Sequence, residues 1–243
     1  MKVAVVTGAS SGIGWATAER LGRDGWRVVL VARRADRLEE LASQLEDARA
    51  LALDVTADDA PARLREAVGE EGALHLLVNN AGSAWRSAFA EGGAENVRRT
   101  MELNFDSVVR ITEALMPLLR ESAPSSVVNV SSAMGRLAFA KQGAYSASKF
   151  AMAGWTEALH LEERRNGVHV GLVLPGFVAT EGFPQANLTR RRLTRWAVSS
   201  PEKVAAAIVA AGPGGKAERY VPRPYRVAAI VRTLFPGLWR RFL

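Results

Sequence analysis

The sequence contains no cysteine, which excludes disulfides, thiolate nucleophiles and cysteine-ligated zinc. Histidine is nearly as scarce. His75, His160 and His169 are scattered without metal-ligand spacing, so no metal site is expected. No uninterrupted apolar stretch approaches the roughly 20 residues that span a bilayer. The apolar run Val3–Val6 breaks into Gly8 and is too short for a signal peptide's hydrophobic region. The expected location is therefore the cytoplasm. Acidic residues are outnumbered, leaving a formal net charge of +7. The arginines are spread along the chain, with one cluster at Arg190, Arg191, Arg192 and Arg195. A second runs through Arg219, Arg223, Arg226, Arg232, Arg240 and Arg241. Neither lies in a recognisable nucleic-acid motif, and no nucleic-acid partner is expected.

What is present is apolar: 48% of the 243 residues, as expected of a folded globule. Short β-branched runs alternate with amphipathic stretches. The expected strands are Val3–Thr7, Arg27–Val31, Arg49–Leu53, Leu74–Val78, Ser126–Val130, His169–Leu174 and Arg219–Val221. Between them, Arg34–Leu45 repeats leucine at positions 38, 41 and 45, and Asp58–Glu70 places Leu64 and Val68 similarly, which predicts helices. Such alternation implies an α/β fold, a single doubly wound parallel sheet of Rossmann type with helices on both faces. No linker or repeat interrupts it. One catalytic domain is expected over residues 1–221, with an amphipathic extension over 222–243.

The first strand runs into Thr7-Gly8-Ala9-Ser10-Ser11-Gly12-Ile13-Gly14, followed by a helical pattern. Glycines at a strand-to-helix turn let the backbone approach a pyrophosphate, and the helix N-terminus offers free N–H groups. The spacing is Gly-x3-Gly-x-Gly rather than the commoner G-x-G-x-x-G; a glycine-rich turn without a ligand is the alternative. The second strand ends in Ala32-Arg33-Arg34. An acidic residue near this point would bind a ribose 2′-hydroxyl, whereas arginine suits a 2′-phosphate. NADP(H) is favoured over NAD(H), with ordinary surface arginines as the alternative.

Tyr145-Ser146-Ala147-Ser148-Lys149 opens a helical pattern, so Tyr145 and Lys149 share one face, a turn apart. A phenol ordinarily titrates near 10, too high for proton exchange near neutrality. A neighbouring ammonium lowers that value. A shift of roughly three units requires about 4 kcal/mol, so a second helper, such as a cofactor's positive charge, is expected as well. Upstream, Asn129-Val130-Ser131-Ser132 ends the fifth strand. Ser132 is thereby placed at the carboxyl end of the sheet, where ligands bind in this fold. Its hydroxyl can donate to a substrate carbonyl oxygen. A serine nucleophile is the rival, but the G-x-S-x-G elbow and a suitable His–Asp pair are missing.

With these residues in order, the sequence resembles the short-chain dehydrogenase/reductase family in its common form of roughly 250 residues, from Met1 to about Val221. Gly8, Ser10, Ser11, Gly12, Ile13 and Gly14 match the family's cofactor loop. Asp54-Val55 matches the pair that meets the adenine ring. Asn79-Asn80-Ala81-Gly82 matches its hallmark, with Asn80, Ala81 and Gly82 along the cofactor. Asn104 falls where the family has the asparagine that supports a proton-relay water. Ser132, Tyr145 and Lys149 match the catalytic trio, Tyr145 and Lys149 also touching the cofactor. Pro175-Gly176-Phe177-Val178-Ala179-Thr180 matches the segment at the nicotinamide, with Pro175, Gly176, Val178 and Thr180 as contacts. The resemblance implies a carbonyl–alcohol oxidoreductase acting on a small molecule. The alternatives are a 3-oxoacyl-thioester reductase and a non-catalytic NADP(H)-binding regulator.

The substrate end is less defined. Residues 181–188 stand where the family carries a variable lid. Phe183, Leu188 and Trp196, with Trp85, Met134 and Phe139, are candidates for an apolar pocket, or for ordinary core and surface. The cluster at 190–195 either meets an acidic carrier or is a solvated helix face. Tyr225–Phe235 predicts an amphipathic helix broken by Pro236-Gly237. It suits a structural tail or peripheral membrane contact. By analogy with the family, a homodimer or homotetramer is expected, built on long helices at Ala94–Leu119 and Tyr145–Asn166. Met101, Val108, Val109, Phe150, Trp155 and Leu159 are the interface candidates.

Overall fold

The structure, a computed structural model, describes residues 1–180 and 197–241. Seven strands form one sheet in the order β3-β2-β1-β4-β5-β6-β9, every neighbouring pair parallel. They are β1 (Val3–Thr7), β2 (Arg27–Ala32), β3 (Ala48–Ala52), β4 (Leu76–Asn79), β5 (Ser125–Val130), β6 (Val168–Pro175) and β9 (Glu218–Val221). A separate parallel pair, β7 (Phe177–Val178) and β8 (Val198–Ser199), brackets the undescribed residues and was not expected from the sequence. The predicted strands all appear, β1 with the expected ends and the others with ends shifted by at most two residues.

Alternation along the strands divides the apolar residues between two cores. From β1, Ala4 and Val6 join one side and Val3 and Val5 the other; β2 sends Val28 and Leu30 one way, Val29 and Val31 the other. The first side is covered by α1 (Gly12–Arg23), α2 (Ala35–Ala42) and α7 (Pro201–Ala211). The second is covered by α3 (Ala60–Gly69), α5 (Ser107–Glu121) and part of α6 (Gly143–Glu163). Leu64, Ile111, Leu115 and Leu119 are fully or almost fully buried there; truncating any one to alanine should cost about 2–5 kcal/mol.

The helix expected over 94–119 is instead three pieces: α4 (Phe89–Met101), a π-helical turn at Glu102–Asp106, and α5. The wider turn coincides with Asn104, whose side chain is bonded to the loop after β4 rather than turned to solvent. A residue inserted by a π-turn shifts the register of everything after it. Val108, an interface candidate, is buried within the chain, which removes it from that role. After β9 the chain continues into α8 (Tyr225–Leu234) and α9 (Pro236–Arg241). Pro236 ends one helix and begins the next, as proline is suited to a first helical position.

Strand order reverses between β1 and β4, because β2 and β3 lie to one side and β4, β5 and β6 to the other. At such a switch point the connections leave in opposite directions and open a crevice at the carboxyl ends of the strands. The glycine loop after β1 and residues 79–82 after β4 are both delivered there.

Candidate active site

The loop floor is fixed by backbone packing. A Cβ on Gly14 would lie 2.2 Å from the Gly8 carbonyl oxygen and 2.7 Å from Asn80 Nδ2, so nothing larger than glycine fits without a backbone shift. Gly8 and Gly12 have φ of 69° and 57°, the left-handed region that favours glycine. The Thr7 hydroxyl donates to Val78 O and accepts from the backbone N–H groups of Asn80 and Ala81, at 2.9 and 3.0 Å. Asn80 Nδ2 donates back to Thr7 O at 2.9 Å. The two turns at the crevice are thereby tied into one unit. A Cβ on Gly12 would meet Thr180 at 3.0 Å, so the segment after β6 closes over the loop.

The first turn of α1 has no side-chain cap: Ser11 makes no capping bond, and no acidic residue sits in that turn. Its orphan N–H groups therefore face the crevice with the positive end of the helix dipole. The Arg34 guanidinium donates to Ser10 Oγ at 3.1–3.2 Å and to Ser10 O at 3.0 Å. Arg33 is well exposed, with only a loose approach to Asp54 at 3.8 Å. Asp54 accepts from the Thr56 N–H and hydroxyl, and these bonds hold its carboxyl below the usual range. The donor set, an uncapped helix start beside two guanidinium groups, fits a ligand carrying several phosphates.

On the other side of the crevice α6 brings Tyr145 and Lys149 together. Lys149 is almost wholly buried; its Nζ donates to Val130 O at 2.9 Å and lies 5.8 Å from the Tyr145 ring centroid. Burial brings its ammonium down to about 8. The Tyr145 phenol is pushed up from its ordinary value by burial, with the Ser132 hydroxyl acting in the opposite direction. The expectation that Lys149 lowers the phenol is corrected for the protein alone. Burial disfavours the charged phenolate, and Lys149 Nζ is directed at Val130 O.

Ser132 is buried at the end of β5; its Oγ accepts from Met134 N–H at 3.1 Å and approaches Pro175 O at 3.4 Å. Asn104 is fully buried and spans to the loop after β4: Oδ1 accepts from Ser83 N at 2.9 Å, and Nδ2 donates to Ser83 O and Ser148 Oγ. A Cβ on Gly82 would lie 3.0 Å from Asn104 Oδ1 and 3.5 Å from Lys149 Nζ. Gly82, Asn104 and Lys149 thus converge on one point. The structure brings the loop at 8–14, residues 80–82, Asn104, Ser132, Tyr145, Lys149 and 175–180 around one crevice. Val55 is buried in the core on the second side of the sheet, and Ala81 packs against that core.

The pocket candidates divide. Phe183, Leu188, Trp196 and the arginines at 190–192 and 195 lie outside the described residues. Met134 is half-buried and Phe139 exposed. Trp85 stacks under the Arg99 guanidinium at 4.9 Å. A cavity of about 520 Å³ lies between α7 and β9, lined by Lys203, Arg219 and Tyr220 among others. None of Ser132, Tyr145 and Lys149 borders it.

The chain is similar to known proteins along most of its length. The short chain dehydrogenase family matches residues 2–191. A Rhamnolipids biosynthesis 3-oxoacyl-[acyl-carrier-protein] reductase from Pseudomonas aeruginosa is 34% identical over 214 residues, covering 84% of this chain and 79% of that protein. The crystal structure of a short-chain dehydrogenase from Streptomyces avermitilis superposes with a TM-score of 0.80 at 32% identity, over 100% of this chain and 99% of that one. An actinorhodin polyketide ketoreductase variant solved with NADPH gives 0.77 at 32% identity, over 90% and 94%. The chain belongs to the short-chain dehydrogenase family. It is an NAD(P)-dependent oxidoreductase of the carbonyl–alcohol type.

In this family member residues quoted within the sequence motifs, Asn79, Asn129 and Ser131, also brace the site, a role the sequence did not reveal. Asn79 and Asn129 are register partners on β4 and β5. Asn79 Nδ2 donates to Asn129 Oδ1 and Thr112 Oγ1, and Asn129 Nδ2 donates to Thr156 Oγ1, at 2.9–3.0 Å. This chain links α5 to α6 across the sheet and fixes the rise of the helix bearing Tyr145 and Lys149. Ser131 Oγ donates to Lys149 O at 2.9 Å. The available signal was polar residues interrupting otherwise buried strands, since most buried amides are held by partners; Asn79 is held through Nδ2, while its Oδ1 is buried without one among the described residues.

Proposed function

We propose that the protein is an NADP(H)-dependent reductase of ketones or aldehydes, with Tyr145 as the proton donor. The observation that carries this reading is the convergence of Ser132, Tyr145 and Lys149 at the mouth of a crevice floored by an uncapped helix start. Gly8, Ser10, Ser11, Gly12, Ile13 and Gly14 would hold the cofactor's pyrophosphate, and Asp54 and Val55 its adenine. Residues 80–82, Pro175, Gly176, Val178 and Thr180 would flank its nicotinamide half. Bound there, the cofactor supplies the hydride.

The chain's own residues do the remainder. Ser132 Oγ donates to the substrate carbonyl oxygen and fixes its direction. Tyr145 gives its proton to that oxygen as negative charge develops. Lys149, held by Val130 O, places its ammonium below the phenol and stabilises the phenolate left behind. Asn104 orders the surroundings of Lys149 so that a proton can return from solvent. In the opposite direction Tyr145 acts as base. Arg33 and Arg34 favour the 2′-phosphorylated cofactor: Arg34 is braced on Ser10, and Arg33 is exposed, with only a loose approach to Asp54 at 3.8 Å. The NADPH complex of the polyketide ketoreductase supports that choice.

A 3-oxoacyl thioester is the second reading for the substrate, favoured by the likeness to the Pseudomonas 3-oxoacyl-[acyl-carrier-protein] reductase. The test is consumption of NADPH, with NADH in parallel, across ketones, aldehydes, quinones and 3-oxoacyl thioesters. Tyr145→Phe should lower kcat by roughly a hundredfold to ten-thousandfold and leave NADPH affinity within about twofold. Near-normal turnover in that variant would remove Tyr145 from the role. Arg33→Gln should weaken NADPH by roughly tenfold and hardly change NADH. Equal losses would defeat the phosphate reading.

A further inference from the structure

The C-terminal helices carry an arrangement that the catalytic reading leaves unused. Helix α8 docks by a side made of Tyr225, Ala229 and Arg232. Tyr225 lies against Gly176, where a Cβ would come within 2.0 Å of its ring. Ala229 is buried, and the Arg232 guanidinium sits 5.0 Å from the Phe150 ring centroid. On the opposite side Val227, Ile230 and Leu234 recur at helical spacing, followed by Phe235. These four are 62, 47, 65 and 56% exposed. A globular protein's amphipathic helix ordinarily turns its large apolar side inward. Here the side with Tyr225, Ala229 and Arg232 faces the body and the aliphatic side faces out.

The charge along this segment has one sign. From Arg219 to Leu243 there are six arginines and no aspartate or glutamate. Arg223, Arg226 and Arg241 are exposed. The preceding acid, Glu218, is paired with Arg136 at 2.9 Å and does not neutralise them.

We propose that α8 and α9 form a docking surface for an anionic lipid bilayer. The stripe of Val227, Ile230, Leu234 and Phe235 enters the interfacial layer while the flanking arginines meet anionic headgroups. Charge selects this occupant. A second copy would press the same cationic segment against itself, which like-charge repulsion opposes. A bilayer of acidic lipid satisfies both the apolar stripe and the arginines at once. The contact of Tyr225 with Gly176 sets α8 over residues 175–180, so docking holds that edge of the crevice about one helix diameter, roughly 10 Å, from the lipid. The inference does not rest on the proposed reaction.

The full-length protein is floated with vesicles of phosphatidylcholine alone, and of phosphatidylcholine with an equal part of phosphatidylglycerol, at low and high salt. It is expected to float with the phosphatidylglycerol vesicles, to remain behind with pure phosphatidylcholine, and to release as salt is raised. The double variant Ile230→Ser/Leu234→Ser should lose roughly tenfold or more in vesicle affinity while keeping the wild-type melting temperature. Arg223→Gln/Arg226→Gln should lose the preference for phosphatidylglycerol. Failure of the wild type to float at low salt would overturn the proposal, as would unchanged floating of the serine variant. A wild-type mass by light scattering that the serine variant halves, without vesicle binding, would assign the face to a contact between copies and equally overturn it.

Discussion

The two ends of the crevice are held in opposite ways. On the side of β1 and β4, backbone atoms stand so close that a single Cβ on Gly14 has no room. Thr7 and Asn80 lock the facing turns together. On the side of β6 and the C-terminal helices, contacts are made by side-chain ends: Tyr225 on Gly176, its hydroxyl donating to Ala197 O at 3.3 Å, and Arg232 over Phe150. Backbone-on-backbone packing has no rotamer to relax into, whereas a ring or a guanidinium can swing aside. The first side therefore suits a ligand that never changes, and the second can vary its contacts without unfolding the sheet.

The sharpest way to break this comparison is Gly14→Ala. The added methyl must displace the Gly8 carbonyl, so cofactor affinity should fall at least a hundredfold, with a loss of roughly 1–3 kcal/mol in stability. Titration of cofactor fluorescence and thermal melting measure the two. A variant that binds normally would show the loop to be as compliant as the far side.

Lys149 gives the next largest effect, through pH. Burial lowers its pKa to about 8 from 10.5, so between these values the unfolded chain holds the proton more often than the folded one. Stability of the cofactor-free protein should therefore rise as pH climbs from about 8 towards 10. The gain is on the order of 2–3 kcal/mol and is lost in Lys149→Met. Above about 10, the raised phenol of Tyr145 acts in the opposite direction, because the unfolded phenol ionises first. Denaturant melts of both proteins at several pH values provide the check; parallel profiles would refute the assignment.

The smallest effect is expected on the compliant side. Gly176→Ala should destabilise by about 1–2 kcal/mol, and adding Tyr225→Ala should restore most of that by removing the ring it strikes. If the double variant is no better than the single one, Gly176 is constrained by its own backbone and the proposed contrast weakens.

Much of the fold was legible because its signals are local. Apolar runs of strand length alternate with leucines at helical spacing, and glycines at one turn and arginines at the end of β2 carry their chemistry in their type. The order of Ser132, Tyr145 and Lys149 was enough to gather them at one sheet edge, since a parallel sheet delivers every strand end to the same side. Other features depended on partners distant in sequence. The break of the helix at Asn104 follows from bonds to Ser83 and Ser148. The pairing of Asn79 with Asn129 needs β4 and β5 to be neighbours. The sequence by itself determined which segments are strands and helices, and which residue types stand at the crevice. Only the tertiary structure decided that burial would raise the phenol of Tyr145, and that α8 would turn its aliphatic side outward. Desolvation and packing are sums over neighbours that the linear order does not contain.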